Sequence, residues 1–204
     1  MYARPLLFPV LFAIAIANAS IHAADDVPAA PVIWAINDMV RIDPETGKAY
    51  EANQNQLPKG LAGDYKTSND LFSAVDNTVR LHAARNEVVA FQLVIQARAK
   101  TVSLAASDLT SFAGGRIPAD RVALYRQWYI HVDEKLGREP SEGGMLSLGP
   151  GWYPDIAIPL RDPQYGDKFA IPSQYSRAPD WRRPNQTTQS VWLDVIDSAS
   201  TQPG

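Results

Sequence analysis

Three groups of residues in this chain have the side-chain types that chemistry uses. The first is the adjacent pair Asp133-Glu134. Two carboxyl groups held across a sugar ring perform the acid and base work of glycoside hydrolysis. This pair ends a stretch with strand-like alternation, and neighbours on a strand point to opposite faces, so the two carboxylates do not meet one substrate. It reads as a polar strand end entering a loop. The second group is His22, His82 and His131, scattered along a chain without cysteine. Zinc requires three or four converging ligands. The segment from Asp43, "DPETGKAYE", lacks the ligand spacing of a calcium loop. No metal and no other cofactor is expected. Neither a Gly-x-Ser-x-Gly elbow nor a glycine-rich phosphate loop is present.

The third group is the most informative. In "LYRQWYIHV" the alternate positions Tyr125, Gln127, Tyr129 and His131 form a row of amphipathic groups. A solvated strand face would carry Lys, Glu, Ser or Thr, and a doubly buried one would carry aliphatics. Rings with polar tips suit contacts where the ring is covered and the tip finds a partner. Three roles fit: packing under loops of the same domain, a seam against another domain, or stacking on a sugar. Close by in the chain, "LGPGWYPDIAIPL" (148–160) sets Trp152-Tyr153 between Pro150 and Pro154, with Gly149 and Gly151 beside them. The prolines stiffen the backbone and the glycines permit turns. This stretch reads chiefly as a strut that locks onto the sheet and directs Asp155 outward. Glycan contact by Trp152 or Tyr153 is the minority reading. Pro159 makes the strand that follows an edge strand or a bulged one.

These residues need strands to position them. "EVVAFQLVIQA" (87–97) alternates Val89, Phe91, Leu93 and Ile95 against a second, more polar face, which is the signature of a strand lining a core. Further strands are expected at Val79–Leu81, Val102–Leu109, Arg121–Asp133, Asp155–Leu160 and Thr187–Ile196. A hairpin around Asn37-Asp38 would pair Val32–Ile36 with Met39–Ile42. "DPETGK" (43–48) reads as a turn, and Asn69–Ala74 as at most one helical turn. No segment carries a helical stripe. Two long connections, 134–154 and 161–186, are rich in proline, and the second also holds Arg177, Arg182 and Arg183 beside Trp181. The fold class this implies is all-β: an antiparallel β-sandwich, immunoglobulin-like or jelly-roll-like, with long irregular loops.

The chain has 204 residues, 19 basic against 22 acidic, and no basic block, so nucleic acid is not an expected partner. After Arg4, residues 6–19 contain no ionisable side chain. Such a run is short for a bilayer span and suits the core of an export leader, cut after Ala23. Residues 24–204 would then form one domain, secreted or periplasmic in a bacterium, and free of the membrane after cleavage. Export without cysteine means that the core holds without disulfides.

"RNEVVAFQLVIQA", "RQWYIHV", "LGPGWYPDIAIPL" and "QSVWLDVIDSASTQPG" occur in that order. Together they resemble the N-terminal β-sandwich domain of family 123 glycoside hydrolases and related secreted proteins, over roughly Val32 to Gly204. That resemblance implies a partner in the same polypeptide: a following (β/α)8 barrel that carries the catalytic Asp-Glu pair. A barrel needs about 250 residues, so no catalytic residue transfers to this chain. The resemblance also implies that the sandwich is cut short after "SASTQPG", before its last strand. The expected function is therefore a non-catalytic domain bracing a downstream hydrolase barrel. The alternatives are a free-standing glycan-binding module and a structural or adhesion domain.

Overall fold

The computed structural model describes residues 13–16, 30–53, 61, 63–84, 86–110, 115–133, 149–163, 166–173 and 185–196. All its sheet pairings are antiparallel. The all-β expectation is met. The strands are β1 (Ala13–Ile16), β2 (Val32–Asn37), β3 (Phe72–Ser73), β4 (Thr78–Val79), β5 (Val88–Gln96) and β6 (Ala99–Ala105). They continue with β7 (Leu109–Thr110), β8 (Arg116–Ile117), β9 (Val122–Val132), β10 (Gly151–Pro159), β11 (Lys168–Ile171) and β12 (Thr188–Ile196). The main sheet has five strands in the order β10-β9-β12-β5-β2, and a second has three in the order β1-β6-β11. β3-β4 and β7-β8 are short separate hairpins. No helix among the described residues is long and apolar enough to cross a membrane.

β5 and β12 form the spine, in register from Thr188↔Gln96 to Ile196↔Val88. Their alternation places Phe91, Leu93, Ile95, Val191, Leu193 and Val195 on one face, and all are buried. Val102 and Leu104 of β6 and Phe169 and Ile171 of β11 belong to the same hydrophobic cluster. Each fully buried side chain of this kind contributes about 1.5–3 kcal/mol.

The opposite face of β5, which looks half-polar in sequence, is buried too: Gln92 is 1% exposed and Val94 is fully covered. The described parts of the segment from 38 to 82 lie over it. Their irregular backbone is tied to the sheet by side-chain amides. Gln92 Nε2 donates to the carbonyls of Asn37, Asp38 and Val40 at 3.1, 2.9 and 2.6 Å. Asn69 Nδ2 donates to Ala35 O at 2.8 Å, and Lys66 Nζ sits 4.7 Å from the Trp34 ring centroid. A second amide cluster links the two main sheets. Gln186 Oε1 accepts from Ser173 N, just past β11, at 2.7 Å, while its Nε2 donates to Gln189 Oε1 at 2.9 Å. Gln189 Nε2 in turn donates to Gln127 O of β9 at 2.7 Å.

Several elements differ from the sequence reading. Met39–Ile42 does not pair back on β2. Asn37 Oδ1 accepts from Met39 N, the chain turns there, and buried Val40 and Ile42 join the core; Ile42 makes only a bridge to Ala49. Asn69–Ala74 contains β3 rather than a helical turn. Val102–Leu109 is two strands, β6 and β7. β10 begins at Gly151, four residues before the expected Asp155, and β11 lies inside the connection read as irregular. The turn at 43–48 is present, closed by Asp43 N→Lys48 O at 2.9 Å. Asn86 takes a positive φ of 62°. β1 falls within the run read as an export leader and pairs with β6, Ile14↔Leu104 and Ile16↔Val102. Cleavage after Ala23 would remove that strand and open the edge of β6.

Gly47 (φ 67°) packs against the spine, where an added Cβ would lie 2.9 Å from Thr188 Oγ1 and 3.1 Å from the Gln96 amide. Gly47→Ala is expected to cost about 1–3 kcal/mol. Urea unfolding checks this: the midpoint should fall while the slope stays unchanged.

Candidate functional site

The sequence-predicted site residues come together on the ribbon formed by β9 and β10 at one edge of the main sheet. The register pairs Trp152↔His131, Tyr153↔Ile130, Pro154↔Tyr129, Ile156↔Trp128, Ala157↔Gln127 and Pro159↔Tyr125. It shifts between Pro154 and Ile156, so Asp155 occupies a bulge, and it is exposed. β10 is an edge strand and is bulged, as Pro159 implied.

The row on β9 is not uniform. Tyr129 and Gln127 are buried, at 2% and 8% exposure, whereas Tyr125 is half-buried and His131 is exposed. Tyr129 Oη accepts from Ser190 N at 3.0 Å, so its ring is covered and its tip is used within the sheet. His131 Nδ1 lies 2.6 Å from Asp133 Oδ1, and its ring is tilted against Trp152 with centroids 4.7 Å apart. Glu134, the second member of the acidic pair, and the arginine group at 177–183 lie outside the described residues. So do the 134–148 part of the first long connection, the expected cleavage site after Ala23 and the end at 197–204. Among the described residues no three His, Asp or Glu side chains converge as a metal set.

One participant was missed from sequence: Tyr50, from the short 3-10 turn Tyr50–Asn53. Its hydroxyl accepts from Trp152 N and donates to Trp152 O, both at 3.0 Å. A single phenol thus occupies both polar groups on the outer side of the edge strand, as a neighbouring strand would. Its ring stacks on Tyr153 at 4.7 Å and 17°, and Tyr153 Oη donates to Gly149 O at 2.5 Å. Gly151 makes the approach possible, since a Cβ there would lie 2.5 Å from Tyr50 Oη. The glycines and aromatics of "LGPGWYPD" therefore form a clamp around an inserted tyrosine. The only sequence signal for Tyr50 was its place just after a turn, which says nothing about a contact 102 residues away.

Burial, and next the charge of Asp43, push the Tyr50 phenol far above its ordinary value of 10.0. Burial also raises Tyr65, which accepts from Ala49 N, and Tyr153. The hydroxyl of Tyr50 stays protonated and can donate to Trp152 O.

Beside this clamp the ribbon is apolar and partly open. Ile130 is 38% and Ile156 is 47% exposed, and Trp128 lies between them, opposite Ile156. The Arg126 guanidinium lies 5.3 Å from the Trp128 ring centroid. Comparison with known proteins finds no family model that matches this chain, and no curated protein matches it.

Tyr50→Phe removes one donated and one accepted hydrogen bond and is expected to cost about 1–3 kcal/mol at neutral pH. The folded chain keeps phenol protons that the unfolded chain releases above its ordinary value, so native stability is full below about pH 10 and falls as the pH rises beyond it. Denaturant titrations from pH 8 to 11.5 should show that fall in the wild type and a shallower one in Tyr50→Phe. Tyr65 and Tyr153 contribute to what remains.

Proposed function

We propose that this chain is the non-catalytic N-terminal β-domain of an exported carbohydrate-active protein, and that the β9–β10 ribbon is the face it presents to a hydrolase barrel. The observation that carries this reading is the open apolar strip of Ile130, Trp128 and Ile156 on a ribbon held by Tyr50. Single exposed apolar residues are ordinary, but adjacent ones on a stiffened surface suit a domain seam. The resemblance of the four sequence motifs to the family 123 N-terminal domain supports the same placement. Catalysis in this chain has little chemical support. Asp133 is exposed and engaged with His131.

A glycan-binding module is the second reading, favoured by the half-buried Trp152 and its contact with exposed His131. An aromatic plane with a hydrogen-bonding neighbour is suited to a sugar face.

The purified chain is expected to release no product from aryl N-acetylhexosaminides over the buffer rate; turnover at an enzymatic rate would end the reading. In protein expressed from the whole reading frame, Ile130→Asp with Ile156→Asp should expose the ribbon to hydrogen exchange and lower the melting temperature. In the chain alone the same pair should change stability by less than about 0.5 kcal/mol. A glycan array that retains the wild-type chain but not Trp152→Ala would promote the second reading instead.

A further inference from the structure

At the sheet edge opposite the ribbon, β2 stops short of its partner. The last register pair is Asn37↔Phe91, and the chain then turns away at Asp38. Val88, Val89 and Ala90 of β5 are left without a β2 neighbour. The β3–β4 unit, closed by Arg80 N→Leu71 O at 2.8 Å, stands across from them. Between these walls lies a cleft of about 500 Å³, within the ordinary range for small-ligand sites.

Two features of its lining define what fits. The floor and lips are aliphatic: Ile36, Met39, Leu71, Leu81, Val88 and Val89. Met39 and Val88 are 71% and 55% exposed at this position, so apolar surface meets water until something covers it. Among the described residues no Phe, Tyr or Trp lines the cleft, so they offer no aromatic platform for a sugar ring. The charged groups are unbalanced. Among the described lining residues, Asp38, Glu51, Asp70 and Glu87 contribute carboxylates against one guanidinium, Arg80, and one imidazole, His82. That guanidinium is drawn to Asp76 at 3.1 Å, outside the cleft. Glu51 is held by Arg41 at 3.0 Å, and Glu87 accepts from Ala84 N at 2.6 Å. Among the described residues, Asp38 and Asp70 have no ion-pair partner. The backbone that carries Asp38 is fixed by the Gln92 amide.

The geometry points to a binding site for a small amphipathic cation: an alkylammonium compound whose chain covers Met39 and Val88 while its charged end meets Asp38 and Asp70. Aliphatic burial supplies the affinity, and the unbalanced carboxylates select the sign of the charge. This goes beyond the scaffold function and does not depend on it. Cleft and ribbon lie toward opposite edges of the main sheet, with β12 between β9 of the ribbon and β5 of the cleft.

Methyl NMR on the full chain, titrated with hexylammonium chloride and separately with sodium hexanoate at equal ionic strength, tests the site. Hexylammonium should shift the Met39, Val88 and Val89 methyl signals saturably below about 10 mM, and hexanoate should not. Asp38→Asn with Asp70→Asn should weaken hexylammonium binding by about tenfold. Val88→Trp, which fills the cleft, should abolish it, and Ile130→Asp should leave it unchanged. Equal response to hexanoate, undiminished affinity in the double variant or absence of saturation would each overturn the assignment.

Discussion

An irregular backbone laid over the face of a β-sheet must find hydrogen-bond donors for its carbonyls, because water is excluded there. That requirement governs this molecule. The described parts of the segment from 38 to 82 cover the second face of the main sheet without forming strands with it. Side chains take the place of a ladder: Gln92 for the carbonyls of Asn37, Asp38 and Val40, Asn69 for Ala35, Thr187 for Glu45 and Tyr50 for Trp152. These amides act together with the buried Val40, Ile42 and Ala49 and with the bonds that Thr187 N and Thr188 N donate to Pro44 O. The turn at Asp38, the wall of the cleft and the position of Tyr50 all descend from the same set of bonds.

The cover gives the two edges of the sheet opposite characters. At the β10 edge, Tyr50 arrives from the covering segment and fastens the ribbon through Tyr153, beside an ordered apolar strip that begins at Ile130, the cross-strand partner of Tyr153. At the β2 edge, the departure of the chain at Asp38 leaves the first residues of β5 beside an open volume. One edge is held and presents a surface; the other is parted and presents a recess.

The long strands were legible in the sequence because burial imposes alternation over many residues. β5, β9 and β12 begin and end within a residue or so of expectation. β11 was not, since four residues inside a proline-rich connection are too few for a period to emerge. Gln92 and Gln96 disguised the second buried face, because a glutamine whose amide ties down a carbonyl has the same letter as one in water. Asn37-Asp38 looked like a hairpin turn, but it turns the chain onto the sheet instead. Of the site, the residues of β9 and β10 could be named from spacing alone. Tyr50, and a cleft whose lining is gathered from distant stretches of chain, depend on tertiary placement that spacing does not encode.

The hydroxyl of Tyr50 has a consequence for how copies of this protein behave in company. A terminal strand with free amide and carbonyl groups invites another chain to lengthen the sheet, the first step toward fibres. Along β10 that invitation is withdrawn: both outward groups of Trp152 are spoken for, and two residues further along the same outward row Pro154 has no hydrogen to offer. A single phenol and an imino acid therefore blunt the first part of this border, even while the apolar strip beside it stays open.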